Sequence, residues 1–346
     1  MILTDLSEDK LAETLESVGL KKFQQKSLLT WLYNGYRFSE ATDVPKSARE
    51  KLESDFTDVP LTVLKDFVSK DGTVKLLYKT SDGELLEGVI MHYEYGNTIC
   101  ISTQIGCRMG CKFCASGMDG LKRNLTASEM LAEVTTANRY LGGGKGDRRI
   151  TNIVLMGSGE PLDNYDNVMR FLELINSENS LNISMRNVSL STSGIVPKIN
   201  ELADKNIGIT LTISLHNPFN EERKEIMPIT NAYSVEEVVA AAKNYFAKTG
   251  RRVVFEYTLI KGVNDGEKYV EKLAALIKGF PAHVNCIIYN EIKGKDFLPT
   301  TRRDGYAFVE KLKSRGLSAT LRRQMGVDIE GACGMLRRRY LDGVEK

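Results

Sequence analysis

A chain of 346 residues, 42% of them hydrophobic, can bury a substantial core, and one large catalytic domain with a small accessory one is expected. A net charge of only +2 gives no bulk electrostatic case for nucleic-acid binding. The first ten residues lack the basic and apolar regions of a leader, and no apolar run reaches membrane-spanning length, so a cytoplasmic protein with no membrane partner is expected.

Residues 1–58 read as a helical accessory module. Ser7 is a candidate cap for a helix through Leu11, Leu15 and Val18 that Gly19 ends. A second helix carries Phe23, Leu28, Trp31 and Leu32, and a third starts after Pro45. Lys21, Lys22 and Lys26 make either a solvated basic rim or an RNA-contacting surface. Residues 59–97 switch to period-two patterning with turns at Asp71-Gly72 and Asp82-Gly83, a β-extension of antiparallel strands.

From 98 to 324 short β-rich runs alternate with helical stretches. Strands are expected near 98–103, 150–156, 186–192, 207–215, 252–260, 283–289 and 317–323, and helices over 128–140, 165–176, 235–248 and 267–278. This pattern predicts an α/β fold with a parallel sheet, wound into a barrel or partial barrel. Gly142 to Gly146 lacks the ending and the strand-to-helix setting of a phosphate loop and reads as a connection.

Cys107, Cys111 and Cys114 stand at C-x-x-x-C-x-x-C spacing in a loop after the first core strand. Three thiolates can wrap one face of a metal cluster and leave one iron open, whereas electron-transfer clusters normally have four. Structural zinc is the alternative, but it needs four closed ligands, and no C-x-x-C or H-x-x-x-H partner pair lies nearby. A disulfide framework is not expected in a reducing compartment.

Reactive groups of parallel βα folds gather at the C-terminal strand ends. Gly157-Ser-Gly159-Glu160-Pro161, Ser191-Thr-Ser193, Ser214-Leu215-His216 and Asn290 all fall there. The Gly-Glu-Pro turn suits an ammonium ligand, held by backbone and the Glu160 carboxylate. Ser191 and Asn290 suit a ribose or carboxylate, or ordinary strand-end capping, and His216 suits either a ligand or a satisfied core position. Cys286 reads as a small core residue. Cys333, among glycines in the 325–346 segment, reads as a mobile, accessible thiol. Arginine pairs such as Arg148-Arg149, Arg251-Arg252, Arg302-Arg303 and Arg322-Arg323, with the run Arg337 to Arg339, are candidate phosphate contacts.

Phe113 before the third cysteine completes the pattern of the radical SAM superfamily, in which the open iron of a 4Fe-4S cluster chelates S-adenosylmethionine. Over nearly its whole length the chain resembles the RlmN/Cfr family of bacterial RNA methyltransferases within that superfamily. The resemblance rests on the Trp31 helix, Asp43-Val-Pro-Lys-Ser-Ala-Arg-Glu-Lys-Leu52, the cysteine motif, Gly120-Leu-Lys-Arg-Asn-Leu-Thr126, Gly159-Glu-Pro-Leu-Asp-Asn-Tyr165, Ser214-Leu-His216, Glu222-Arg-Lys-Glu-Ile-Met-Pro-Ile229 and the tail Arg323-Gln-Met-Gly-Val-Asp-Ile-Glu-Gly-Ala-Cys-Gly334. Ser158 stands where a methionine is usual, and Phe23-Gln24-Gln25-Lys26 replaces the usual Phe-Arg-x-x-Gln.

The resemblance implies a radical SAM partial barrel and methylation of carbon 2 of an adenosine in 23S rRNA, and of the adenosine 3′ of the anticodon in some tRNAs. The sister activity at carbon 8 is the near alternative, and a non-catalytic zinc-bearing RNA-binding protein the distant one. It implies Cys107, Cys111 and Cys114 as cluster ligands and Gly159, Glu160, Ser191, Ser214, Leu215, His216 and Asn290 as contacts to S-adenosylmethionine, two of which are used per turnover. It implies Cys333 as the methyl-carrying thiol, Glu87 as proton acceptor and Cys100 as the thiol that resolves the RNA adduct through a transient disulfide. Partners implied are rRNA, tRNA, a flavodoxin- or ferredoxin-type electron donor and a disulfide reductant. Without the resemblance Glu87 reads as a solvated strand carboxylate.

Overall fold

The computed structural model describes residues 1–336; the run Arg337–Arg339 and the rest of the C-terminal segment lie outside the described residues. Helices α1 (Glu8–Ser17), α2 (Lys22–Leu32) and α3 (Lys46–Asp55) enclose their own core of Leu3, Leu11, Leu15, Leu28, Phe38 and Leu52. Ser7 occupies the position before α1, but its side chain makes no capping hydrogen bond. The module is tied to the rest of the chain by Arg139, which bonds the Gly35 carbonyl at 2.7 Å and Glu40 at 2.8 Å.

The β-extension is not a separate unit. Strands β1 (Leu61–Val68), β2 (Val74–Thr80) and β3 (Leu85–Tyr93) form an antiparallel meander, and β3 pairs with β4 (Gly96–Ile101). From β4 the sheet continues in parallel through β7 (Ile150–Leu155), β8 (Val188–Thr192), β9 (Thr210–Ser214), β10 (Val253–Leu259), β11 (Ala282–Ile288) and β12 (Ser318–Leu321). The result is one ten-stranded sheet in sequential order, with β1 and β12 as its edges. Its parallel part is an open, partial (β/α) barrel. The short hairpin β5 (Gln104–Gly106) and β6 (Leu121–Asn124) stands apart and frames the cysteine loop.

Helices α4 (Ala127–Tyr140), α5 (Tyr165–Asn176), α6 (Val196–Lys205), α7 (Asn220–Ile226), α8 (Val235–Thr249), α9 (Glu267–Ile277) and α10 (Arg302–Ser314) connect the strands. Apolar residues at helical spacing, such as Val168, Phe171, Leu172 and Ile175 in α5, pack onto alternate strand residues including Ile153, Leu190 and Leu211. Among the described residues no helix is long and apolar enough to cross a membrane.

Alternation then decides what faces the other side of the sheet. In β4, Ile99 and Ile101 join the main core, so Cys100 between them points the opposite way. Cys100 stands opposite Val89 on β3, and Glu87, two residues from Val89, shares that face.

Candidate active site

The cysteine loop is held at both ends and in its middle. Cys107 donates its backbone N–H to Gly120 at 3.1 Å, and Lys112 donates to Ile226 at the end of α7 at 2.9 Å. Gly106 has φ +78°, and a Cβ there would meet the Gly120 carbonyl oxygen at 1.9 Å, so this close crossing admits only glycine. Cys107, Cys111 and Cys114 line one cavity, with Met156, Glu160 and Asn290 on its walls. Burial pushes the Cys107 thiol up to about 12 and raises Cys111 further, because a lone thiolate is poorly solvated there.

The strand ends supply the opposite wall. Gly159, at φ +108°, brings its backbone so near Gln104 that a Cβ would lie 2.7 Å from the Gln104 nitrogen. Glu160 accepts backbone hydrogen bonds from Ser193 at 2.7 Å and Leu162 at 3.1 Å. Burial raises its carboxyl, and those bonds work against the rise. Ser191 and Ser214 line the same cavity.

His216 is both cavity wall and satisfied core residue. Its Nδ1 accepts the Thr258 N–H at 3.0 Å, and its ring stands edge-on to Phe113 with centroids 4.7 Å apart. Burial first, then the charge of Arg223, lowers it to about 3, so the ring is neutral. Leu215 stands between two cavity residues, Ser214 and His216. Its side chain lies in the main core, not on the cavity, and its backbone is engaged with the Glu256 carbonyl and the Arg223 guanidinium.

Arg223 was not singled out in the sequence. It is fully buried and bonds the carbonyls of Leu215, Ser193 and Ser214 and the hydroxyl of Thr230. It thereby pins the ends of β8 and β9, which carry the cavity serines. Its place in Glu222-Arg-Lys after a strand-end histidine was visible, but nothing in that string says the side chain turns inward.

The segment carrying Cys333 is anchored rather than mobile. The Cys333 carbonyl accepts from the Asn290 side chain at 3.0 Å, and the Gly334 carbonyl from Ala115 in the cysteine loop at 2.8 Å. Farther back, Gly326 donates to Asp71 at 3.0 Å and Asp328 accepts from Ser69 at 2.5 Å. Cys333 is partly buried, not freely accessible, and burial raises its thiol while Arg322 pulls it down. Asn290 spans the two ends of this loop, since its Oδ1 also accepts from Gln324 at 3.0 Å.

Cys333 also lines a second cavity, together with Cys100, Met156 and Arg322. Arg322 reaches Glu256 at 3.0 Å, with its side chain only 20% exposed, so it is a buried partner of the thiols and not a phosphate contact. The neighbouring Arg323 is exposed and lines the same cavity. Glu87 is likewise no solvated carboxylate: it is buried and paired with the buried Lys75 at 2.9 Å. It faces a third cavity with Gln104, Ser158 and Lys122. Cys286 is fully buried in β11 as a core residue.

The chain matches the radical SAM superfamily model over residues 101–276 and the model described as "Ribosomal RNA large subunit methyltransferase N-terminal domain" over residues 1–57. It is 49% identical over 342 residues to a probable dual-specificity RNA methyltransferase RlmN of Clostridium perfringens, covering 98% of this chain and 97% of the relative. The chain belongs to the RlmN family. A relative from Lachnospira eligens bearing the same description is 45% identical, covering 99% of this chain and 98% of its own length. A radical SAM methyltransferase from Sphaerobacter thermophilus superposes with a TM-score of 0.93 at 39% identity, covering 98% of this chain and 100% of that one.

Membership of the radical SAM superfamily implies a 4Fe-4S cluster and S-adenosylmethionine. The donor set fits a cluster. Among the described residues no three His, Cys, Asp or Glu side chains are gathered closely enough for a single metal ion. Cys107, Cys111 and Cys114 come from one loop and line one cavity, and three thiolates are the donor set that leaves one iron of a cubane open. The Gly159 backbone and Glu160 carboxylate beside them suit the amine of the sulfonium cofactor.

Proposed function

We propose that this protein methylates carbon 2 of an adenosine in 23S rRNA and of the adenosine 3′ of the anticodon in a subset of tRNAs. The relatives described as dual-specificity RNA methyltransferases support an RNA substrate. The observation that carries the chemistry is the shared cavity of Cys100 and Cys333, which has Cys333, Met156 and Asn290 as walls in common with the cavity of the three loop cysteines.

That ring carbon is electron-poor and has no lone pair, so it cannot displace a methyl group from a sulfonium. A thiolate can. In this reading Cys107, Cys111 and Cys114 hold the cluster, and Gly159, Glu160, Ser191 and Ser214 line the site of the sulfonium cofactor. The bound cluster and S-adenosylmethionine supply one-electron chemistry that makes a methyl carbon reactive. Cys333 accepts a methyl group from one S-adenosylmethionine as its sulfur displaces the thioether leaving group; a second molecule serves the radical step. Arg322 beside the sulfur favours its thiolate.

Once the carbon on Cys333 is joined to the base, Glu87 accepts the proton from carbon 2. Cys100 then gives up its thiol proton and attacks the sulfur of Cys333. The sulfur–carbon bond opens with its electron pair going to the carbon, which takes up a proton to become the methyl group, and product leaves with a Cys100–Cys333 disulfide behind. An external dithiol reduces it, and a flavodoxin- or ferredoxin-type protein supplies the single electrons. An RNA substrate of this kind places the protein in the cytoplasm. The target base must leave its stack, so the substrate is an exposed loop.

The test is reconstitution with reductant, S-adenosylmethionine and unmodified RNA, followed by nucleoside chromatography and mass spectrometry of the Cys333 peptide. Wild type yields 2-methyladenosine, Cys100→Ala accumulates protein joined to RNA, and Cys333→Ala gives neither. A carbon-8 product, or normal turnover by Cys100→Ala, overturns the reading.

A further inference from the structure

The tip of the β3–β4 hairpin carries two tyrosines whose rings are stacked, with centroids 4.9 Å apart and planes 8° from parallel. The inner ring, Tyr93, lines the cavity that holds Cys100 and Cys333. The outer ring, Tyr95, is 67% exposed, so one face of the stack is open to solvent. The exposed ring is braced parallel to one that walls the reactive cavity, so it offers a flat aromatic face already held in place. Arg323 is exposed, lines the same cavity as Tyr93, and makes no ion pair among the described residues.

We propose that Tyr95 is a stacking platform for an unpaired nucleobase beside the target adenosine, with Arg323 contacting the phosphate of the same stretch. The proposal rests on the RNA-methylation reading above. Drawing one adenosine out of a loop leaves its neighbour without a stacking partner, and an exposed ring braced from behind replaces that partner. Every base has a π face, so the contact tolerates sequence differences between an rRNA and a tRNA target. Glu94 lies between the tyrosines and repels phosphate, which confines the hairpin tip to base contact and leaves the backbone to Arg323. The sequence suggested Arg322 and Arg323 as a pair of phosphate contacts; their burial separates the two roles.

The experiment is fluorescence anisotropy of an RNA stem-loop with a loop adenosine, titrated with the full-length reconstituted protein over a salt series. Tyr95→Ala weakens binding roughly fivefold or more and leaves the salt slope unchanged, while Tyr95→Phe retains wild-type affinity. Arg323→Gln weakens binding and lowers the slope by about 0.7. Removing the neighbouring base from the RNA abolishes the difference between wild type and Tyr95→Ala. Wild-type affinity for Tyr95→Ala, or equal losses for Tyr95→Phe and Tyr95→Ala, overturns the platform, and an unchanged slope for Arg323→Gln overturns the phosphate contact. If the wild type binds this RNA with the stated Tyr95 dependence yet forms no methyladenosine, the methylation reading fails while the platform stands.

Discussion

Asn290 donates its side-chain amide to the Cys333 carbonyl at 3.0 Å and accepts from Gln324 with its oxygen at the same distance. One side chain at the end of β11 therefore fixes both the start of the C-terminal loop and the peptide of its cysteine. Its amide nitrogen and oxygen each make one bond to this loop, which makes it a positioning residue for Cys333.

Asn290→Ala should loosen that loop without touching the cysteine motif. A neutral hydrogen bond contributes about 1 kcal/mol, so a brief iodoacetamide pulse should label Cys333 roughly fivefold faster. Peptide mass spectrometry separates Cys333 from Cys100. Equal labelling rates in wild type and variant would show that the other anchors hold the loop alone.

Arg322 and Glu256 make a second test of burial. Removing one member of a buried pair leaves a charge without its partner and costs about 3–5 kcal/mol. Arg322→Ala should therefore lower the urea midpoint strongly, while Arg323→Ala, at an exposed position, should change it little. Replacing both members, as Arg322→Met with Glu256→Met, should recover much of the loss. Equal midpoints for the two single arginine variants would contradict the buried pairing.

The same two arginines show where a sequence stops being informative. The alternation of strands and helices was legible from period and turn residues, and the hairpin turns at Gly72 and Gly83 fall where expected, both with positive φ. The strand-end addresses of Glu160, Ser191, Ser214 and His216 were legible too, because parallel topology sends all such ends to one face. What adjacent residues do after a strand depends on which one turns inward, and that is set by packing across the sheet. Arg322 turns toward Glu256 on β10, whereas Arg323 faces outward. Leu215 follows the same rule, lying between two cavity residues while its side chain faces the core. Glu87 read as solvated because its partner, Lys75, lies on another strand.

Lys75 and Glu87 sit diagonally across β2 and β3, both with side chains under 5% exposed. Lys75→Met removes one member of this buried ion pair and should lower the urea midpoint. Glu87→Gln keeps a similar shape, removes the charge 2.9 Å from Lys75, and removes the proton acceptor. On the proposed reaction it should block release of methylated RNA while the Cys333 peptide still gains a methyl mass. If Glu87→Gln forms product at the wild-type rate in single-turnover assays, the acceptor is another group.

The clasp between Asp71 and Gly326 has a pH dependence of definite sign. Burial alone would raise the Asp71 carboxyl, but hydrogen bonds from Thr73, Gly326 and Ser69 outweigh it and hold Asp71 at about 2. A carboxylate held below its ordinary value of about 4 binds protons less readily folded than unfolded. Its stabilisation is therefore complete above about pH 4 and is lost as pH falls toward 2. Asp71→Asn removes that dependence. Asp82, held at about 2 chiefly by its hydrogen bond from Arg123, titrates alike in both proteins and cancels from the comparison. The difference in urea midpoint between wild type and Asp71→Asn should thus be largest near neutral pH and shrink between pH 4 and 2. Parallel profiles over that window would mean that Asp71 does not hold the loop through its charge.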